Sequence, residues 1–296
     1  MFKKTGLAVA LAASLFALTA CGSSTPDANT SAASGSTSVD EAAAALVPEE
    51  FKDGVSVASD IPYAPMEFFD ENDKPTGFDY DLSQAIAGKL GVPFSFNDQD
   101  WDGIIPSLQA GTHDVIMSGM NDTPERQEVL DFVDYFSAGF AILVAKDDTT
   151  INSFADLCGK TVAIQTATAQ IDLINAVNPS CATPIEILEF PSDGDAQNAI
   201  RAGKAVAGVN DGQVAAYTAQ TAGNGEYFKL VTATDAPADF QSALTGVGVL
   251  KANSGLTKAI QAAIQSLMDD GTYAELLKKW NLSAFAVDTA TINGTK

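Results

Sequence analysis

Histidine is almost absent from this chain: His113 is the single example in 296 residues. That scarcity leaves little room for a Ser–His–Asp triad, and no G-x-S-x-G turn accompanies it. Only three cysteines occur, Cys21, Cys158 and Cys181, too scattered for a structural zinc site. Positive charge is scarce too, with 16 Lys and Arg against 38 Asp and Glu, a net −22. Such a chain has no electrostatic footprint for nucleic acid and no attraction to an anionic membrane surface. A glycine-rich phosphate loop is also missing. The sequence therefore predicts no metal, no bound cofactor and no nucleic-acid partner.

Long apolar runs are equally few. One runs from Gly6 to Leu18 behind Lys3 and Lys4, too short to span a bilayer as a mature helix. It ends in Leu18-Thr19-Ala20-Cys21, which resembles the lipobox of bacterial lipoproteins. That resemblance implies removal of 1–20, lipidation of Cys21 and an extracytoplasmic, membrane-anchored protein. Removal takes Lys3 and Lys4 and no acid, leaving 14 basic against 38 acidic residues, a net −24. Gly22 to Asp40 has the composition of a flexible linker. Residues 21–47 are therefore read as lipidated cysteine plus tether, with Asp40–Pro48 open between short helix and tether. Cys158 and Cys181 remain as an even pair in an exported chain, which predicts a disulfide.

Beyond the tether, strand and helix signals alternate regularly. Val55 and Val57 alternate within Gly54–Ser59 like a half-buried strand, and Gly77–Gly91 sets Phe78, Leu82, Ile86 and Leu90 on one helical stripe. Val92–Phe96 predicts a second strand, Asp102–Gly111 a short helix and Asp114–Gly119 a third strand. Further strands are predicted at Ala141–Lys146, Thr161–Gln165, Ile185–Phe190 and Ala205–Val209. Helices are predicted from Thr168, over Asp195–Gly203, from Asp211, and at 254–269 and 272–280. The alternation indicates an α/β protein with largely parallel sheets flanked by helices. Ligands in open α/β sheets bind beyond the carboxyl ends of the strands.

Three clusters lie at such ends. The first is Gly119, Asn121, Thr123 and Arg126. Thr123 reads as a helix N-cap with Pro124 at the first helical position, and Arg126 stands where a capping box would place Glu or Gln. Arg126 is then either an anion clamp or a surface arginine paired with Glu125 or Glu128. The second cluster is Gln165–Thr168, where a strand yields to a helix start. The third is Asp211, either a plain N-cap or a carboxylate for an ammonium group. Arg126 with Asp211 would complement an α-amino acid zwitterion.

Three longer segments carry a family resemblance: Tyr63–Leu82, Trp101–Phe136 and Asp269–Trp280. In order and spacing they resemble the family 3 substrate-binding proteins of amino-acid ABC transporters, from about Phe51 to Leu282. The resemblance implies a two-lobed, type II periplasmic-binding-protein clamshell whose chain crosses the hinge twice. Lobe 1 would comprise 48–139 plus 246–284 and lobe 2 141–244, with 285–296 as a C-terminal tail. It implies Arg126, Asn121 and Thr168 on the ligand α-carboxylate, Asp211 and the Gly119 carbonyl on the α-ammonium, and Tyr63 and Trp101 as flat walls for the side chain. Relatives often carry Ser or Thr at the position of Asn121, whose amide can still donate. Asp60 matches a position that meets polar or cationic side chains, which points to glutamine, arginine or a similar amino acid. The implied partners are a free amino acid and the ABC permease, with the binding protein a monomer. The same fold resembles cyclohexadienyl dehydratases, for which Asp60 and Glu67 would be the candidate acids. A ligand-sensing subunit of a receptor is a further alternative. His113 reads as a surface residue.

Overall fold

Val55 and Val57 point into one apolar layer while Ala58, between them and the strand end, points into another, so the first strand is covered on both faces. The computed structural model describes residues 37–295; Cys21 and the predicted signal segment lie outside them. Along the chain come α1 (Glu41–Ala44), β1 (Val55–Ser59), the hairpin strands β2 (Phe68–Phe69) and β3 (Pro75–Thr76), α2 (Phe78–Leu90), β4 (Phe94–Asp98), α3 (Ile104–Gln109), β5 (Val115–Ile116) and β6 (Leu130–Ala138). They continue through β7 (Phe140–Ala145), β8 (Thr161–Gln165), α4 (Ala169–Val177), β9 (Glu186–Phe190), α5 (Asp193–Arg201), β10 (Ala207–Asp211), α6 (Gly212–Thr221) and β11 (Phe228–Val231). Last are β12 (Ala243–Leu250), α7 (Ser254–Asp269), α8 (Thr272–Lys279) and β13 (Thr291–Ile292).

Apart from the two-stranded β2–β3 hairpin, these strands build two sheets, ordered β13-β6-β12-β5-β1-β4 and β11-β7-β10-β8-β9. Both are mixed, a correction to the largely parallel sheets that the strand–helix alternation suggests. β1 runs parallel to β4 and β5, and β8 parallel to β9 and β10. β12 runs antiparallel to β5 and β6, and β7 antiparallel to β10 and β11. β7 and β12 enter their sheets from the side on which the parallel strands end, so they run antiparallel to those strands.

Helices cover both faces of each sheet. α2 and α7 pack on one face of the first sheet, and α7 presents Leu256, Ala259, Ile260, Ala263, Ile264 and Leu267, the i, i+3, i+4 stripe of a half-buried helix. Each fully buried Leu or Ile there stabilises by about 1.5–3 kcal/mol. α3 covers the opposite face with Ile104 and Leu108. In the second sheet Ile142 and Val144 face α4, while Ala141 and Leu143 face α5 and α6. That two-sided burial is why Phe140–Ala145 reads as an unbroken apolar run.

The chain leaves the first sheet at Gly139 and returns between 232 and 242. The two crossings touch: a Cβ at Gly139 would stand 2.5 Å from the Gln241 carbonyl oxygen, so only glycine fits. β12 joins the first sheet from Ala243, pairing with Ala138, whereas the resemblance placed that return at 246. Residues 291–292 of the expected tail form β13 against β6. Of the expected tether, α1 is capped by the Asp40 carboxylate, and Ala43 and Val47 are buried in the first lobe's core.

The helix predicted after Thr123 is a single 3-10 turn, Arg126–Glu128. β6 starts at Leu130, which leaves no room for more. The Thr123 hydroxyl accepts from the Arg126 N–H at 3.3 Å just ahead of that turn, whose N-cap residue is Glu125. Cys158 and Cys181 are joined, their Cα atoms 5.3 Å apart, tying the entry of β8 to the end of α4.

Candidate functional site

A small cavity lies between the lobes, at the carboxyl ends of β1, β5, β8 and β10. All eight residues nominated as ligand contacts line it: Asp60, Tyr63, Trp101, Gly119, Asn121, Arg126, Thr168 and Asp211. Ser118, Gln165 and Gln170 complete the wall. Gln165 belongs to a segment the sequence singles out, and Ser118 directly precedes the predicted Gly119. Gln170 carried no signal, since a polar residue in a helix's first turn reads as solvated. It is nonetheless buried, and its Oε1 has no hydrogen-bond partner among the described residues.

Asp211 ends β10 and starts α6, yet its carboxylate makes no cap hydrogen bond. It instead accepts from the Tyr63 hydroxyl at 2.7 Å and the Asn121 amide at 3.2 Å, both from the other lobe. Burial pushes its pKa up, and the Tyr63 and Asn121 donors and the Arg126 charge oppose that. The Asn121 amide therefore faces Asp211 in this state. Arg126 is half-buried above the Trp101 ring, its guanidinium carbon 5.3 Å from the ring centroid. It donates to the Asn121 carbonyl at 2.8 Å and to the Ala167 carbonyl of the other lobe at 3.1 Å. Burial brings its pKa down to about 10, so it stays charged at neutral pH. Among the described residues neither Glu125 nor Glu128 forms an ion pair with it.

The turn after β8 is strained, with Ala167 at φ +54°. Its carbonyl is thereby presented to lobe 1, where the Trp101 indole N–H also donates to it at 3.2 Å. Thr168 is the N-cap residue of α4, with its hydroxyl donating to the Gln165 carbonyl at 2.7 Å. At the far end of the cavity the Gln165 amide donates to Asp60 at 2.7 Å. Burial raises the Asp60 pKa to about 6, with Asp98 and Asp100 adding to the rise and the Gln165 bond opposing it.

Behind the wall stands a second tier. The Gly119 N–H donates to Asp79 at 2.7 Å, and the Tyr135 hydroxyl donates to the other oxygen. Gly119 has φ +54°, and a Cβ there would press on the Tyr63 ring at 3.1 Å. Ser118 accepts from the Asp60 N–H and donates to Glu67 at 2.8 Å. Glu67 is fully buried and does not line the cavity; burial and Asp79 push its pKa well above the usual range. His113 lies elsewhere, its Nδ1 2.9 Å from the Ser56 hydroxyl.

The geometry is that of two lobes closed on a polar cavity with a cation and a buried carboxylate in its wall. Residues 55–283 match the model for bacterial extracellular solute-binding proteins, family 3. The chain belongs to that family. Within it, the arginine-binding protein ArgT of Corynebacterium glutamicum is 34% identical over 256 residues, spanning 84% of this chain and 82% of the relative. A solved ancestral arginine-binding protein bound to glutamine superposes with a TM-score of 0.69 at 37% identity, over 77% of this chain and 97% of that one. A second solved neighbour is an ancestral amino acid-binding protein described as a precursor of cyclohexadienyl dehydratase. It gives a TM-score of 0.67 at 36% identity, over 76% of this chain and 94% of that one. In this solute-binding family member the lobes and the intervening cavity are built from the residues described above.

Proposed function

We propose that this family 3 protein captures a polar or basic L-amino acid by closing its two lobes, and delivers it to the permease of an ABC importer. One observation carries the reading: Arg126 from lobe 1 and the buried Asp211 from lobe 2 line the same closed cavity. A zwitterion satisfies both. Arg126, Asn121 and Thr168 hold the α-carboxylate, and Asp211 with the Gly119 carbonyl holds the α-ammonium. Charge-assisted bonds at both ends favour α-amino acids over simple acids or amines. Tyr63 and Trp101 flank the ligand side chain, and Asp60 receives its distal N–H donors. The arginine and glutamine named for the relatives both carry such donors, which supports this class of ligand.

Because the contacts come from both lobes, a ligand binds the closed state better than the open one. Closure is a population shift set by that difference in affinity. The permease then receives a protein whose shape reports occupancy. Lobe 1 is taken as the part built on the first sheet and lobe 2 as the part between the crossings at Gly139 and 232–242. Lipidation at Cys21 keeps the monomer on the outer face of the cell membrane, with the segment to Asp40 as its tether.

Binding without turnover is the reading that the relatives' names support. Glu67, a candidate acid for the dehydratase alternative, lies outside the cavity. The test is a thermal-shift screen of unfolded and refolded protein against the twenty amino acids and related small acids, prephenate included. A ligand specific for the folded state raises Tm by mass action. A rise with one or two amino acids, lost in Arg126→Ala, is the expected result. Losing one charged partner costs about 1.5–3 kcal/mol, or roughly 10- to 150-fold in Kd. Shifts only with acids lacking the α-amino group, or loss of prephenate during incubation, would overturn the proposal.

A further inference from the structure

Outside the cavity the lobes also meet through an aromatic stack. Phe68 of β2, in lobe 1, lies 6.2 Å from Tyr217 of α6, in lobe 2, with the rings tilted at 41°. The other side of Phe68 meets Trp280 edge-on at 5.8 Å. Trp280 is fixed in lobe 1 by its indole N–H, which donates to Asp81 of α2 at 2.6 Å. None of these three rings lines the ligand cavity.

Two elements supply both kinds of interlobe contact. α6 begins at Asp211 and carries Tyr217 six residues on, about 9 Å along its axis. The facing segment carries Tyr63 and Phe68, and is stiffened by the Tyr63 N–H donating to the Glu67 carbonyl at 2.7 Å. Moving α6 away from this segment breaks the Tyr63–Asp211 bond inside the cavity and the Phe68–Tyr217 contact outside it. Only the first involves a residue that the ligand would touch.

We propose that Phe68 and Tyr217 form an interlobe latch, outside the ligand cavity, that favours closure and so raises affinity for every ligand alike. They are positioning residues: the stack holds α6, and hence Asp211, against Tyr63. An aromatic pair of this kind changes an equilibrium by roughly 2- to 10-fold. The affinity consequence rests on the capture-by-closure reading above, whereas the effect on lobe opening does not.

The test measures two quantities in full-length Tyr217→Ala and Phe68→Leu. One is the radius of gyration of the ligand-free protein by small-angle X-ray scattering. The other is Kd for two amino acids by calorimetry. The latch predicts a larger radius and a roughly 2- to 10-fold weaker Kd for both ligands, with their ratio unchanged. Tyr217→Phe keeps the ring and behaves like the native protein. Tyr227→Ala removes an exposed lobe-2 ring that stacks on Arg201, and changes neither quantity. An unchanged radius in Tyr217→Ala, or a loss confined to one ligand, overturns the latch, as does an equal effect from Tyr227→Ala. If the native protein bound no amino acid, the functional proposal would fall while the scattering comparison still decided the latch.

Discussion

Asp60 is the residue whose chemistry separates a basic from a neutral amino acid. Burial holds its pKa at about 6, and the side chain that donates to it is the neutral Gln165 amide. A cationic ligand side chain prefers the ionised form, so binding it releases a proton wherever Asp60 is protonated in the free protein. Affinity for a basic amino acid should therefore rise with pH through about 6 and level off above. The expected gain between about pH 5 and about pH 7.5 is on the order of 10-fold. A neutral amino acid shows no such slope from this residue, and Asp60→Asn flattens the slope for the basic one. Calorimetry at both pH values, on native protein and Asp60→Asn, checks this. A basic ligand whose Kd is unchanged by Asp60→Asn would remove Asp60 from specificity. Asp60 was legible because it directly follows an alternating strand, at a position that the family resemblance links to polar or cationic ligand side chains. Its bond to Gln165, 105 residues away, was not, since no local pattern records which strand end faces which.

At the scale of elements, most strand and helix signals from 54 to 280 were legible from their apolar pattern, whereas β6, β11 and β12 lie where no strand was predicted. The helix expected after Thr123 is cut to one turn. Cap chemistry announces a helix start, whereas its length depends on how soon β6 must begin. The Cys158–Cys181 bridge rests on elimination among three cysteines, and the fold brings the pair together. It closes a loop spanning a sequence separation of 23, which contains β8 and α4. In the chain-entropy model such closure stabilises by roughly 3 kcal/mol. Reduction should accordingly lower the denaturant midpoint of the ligand-free protein by that equivalent. Urea unfolding with and without reductant measures it, and coincident curves would show that lobe 2 does not depend on the bridge.

For the whole molecule the acidic excess has a cost that depends on pH. Asp134 and Asp193 are buried with pKa values raised to about 6, as is that of the half-buried Asp60, and Glu67 is raised well above its usual range. A carboxyl group whose folded pKa lies above its unfolded value binds protons more tightly when folded. Its contribution is present in full near about pH 4 and is lost as pH rises through about 6. Carboxylates near the surface such as Asp70 and Asp156 are held below their usual range by backbone hydrogen bonds and lose their contribution only as pH falls below about 4. The ligand-free protein should therefore melt higher at about pH 5 than at about pH 7.5, by on the order of 5 °C. Differential scanning calorimetry checks the sign, and a lower Tm at the acidic value would contradict this account of the buried acids.

By itself the sequence determined the α/β class, the family and the eight nominated residues that line the cavity. The class is carried by local periodicity, and the eight residues by their positions in a chain that resembles the family. Only the tertiary structure decided that the sheets are mixed, that β12 returns at Ala243 and that Tyr63 and Asn121 converge on Asp211. It alone set Phe68 against Tyr217. Tyr63 and Asp211 stand 148 positions apart in the chain, and such pairings depend on how the two lobes meet. A chain read one segment at a time carries the chemistry of each wall, and the fold supplies the distance between them.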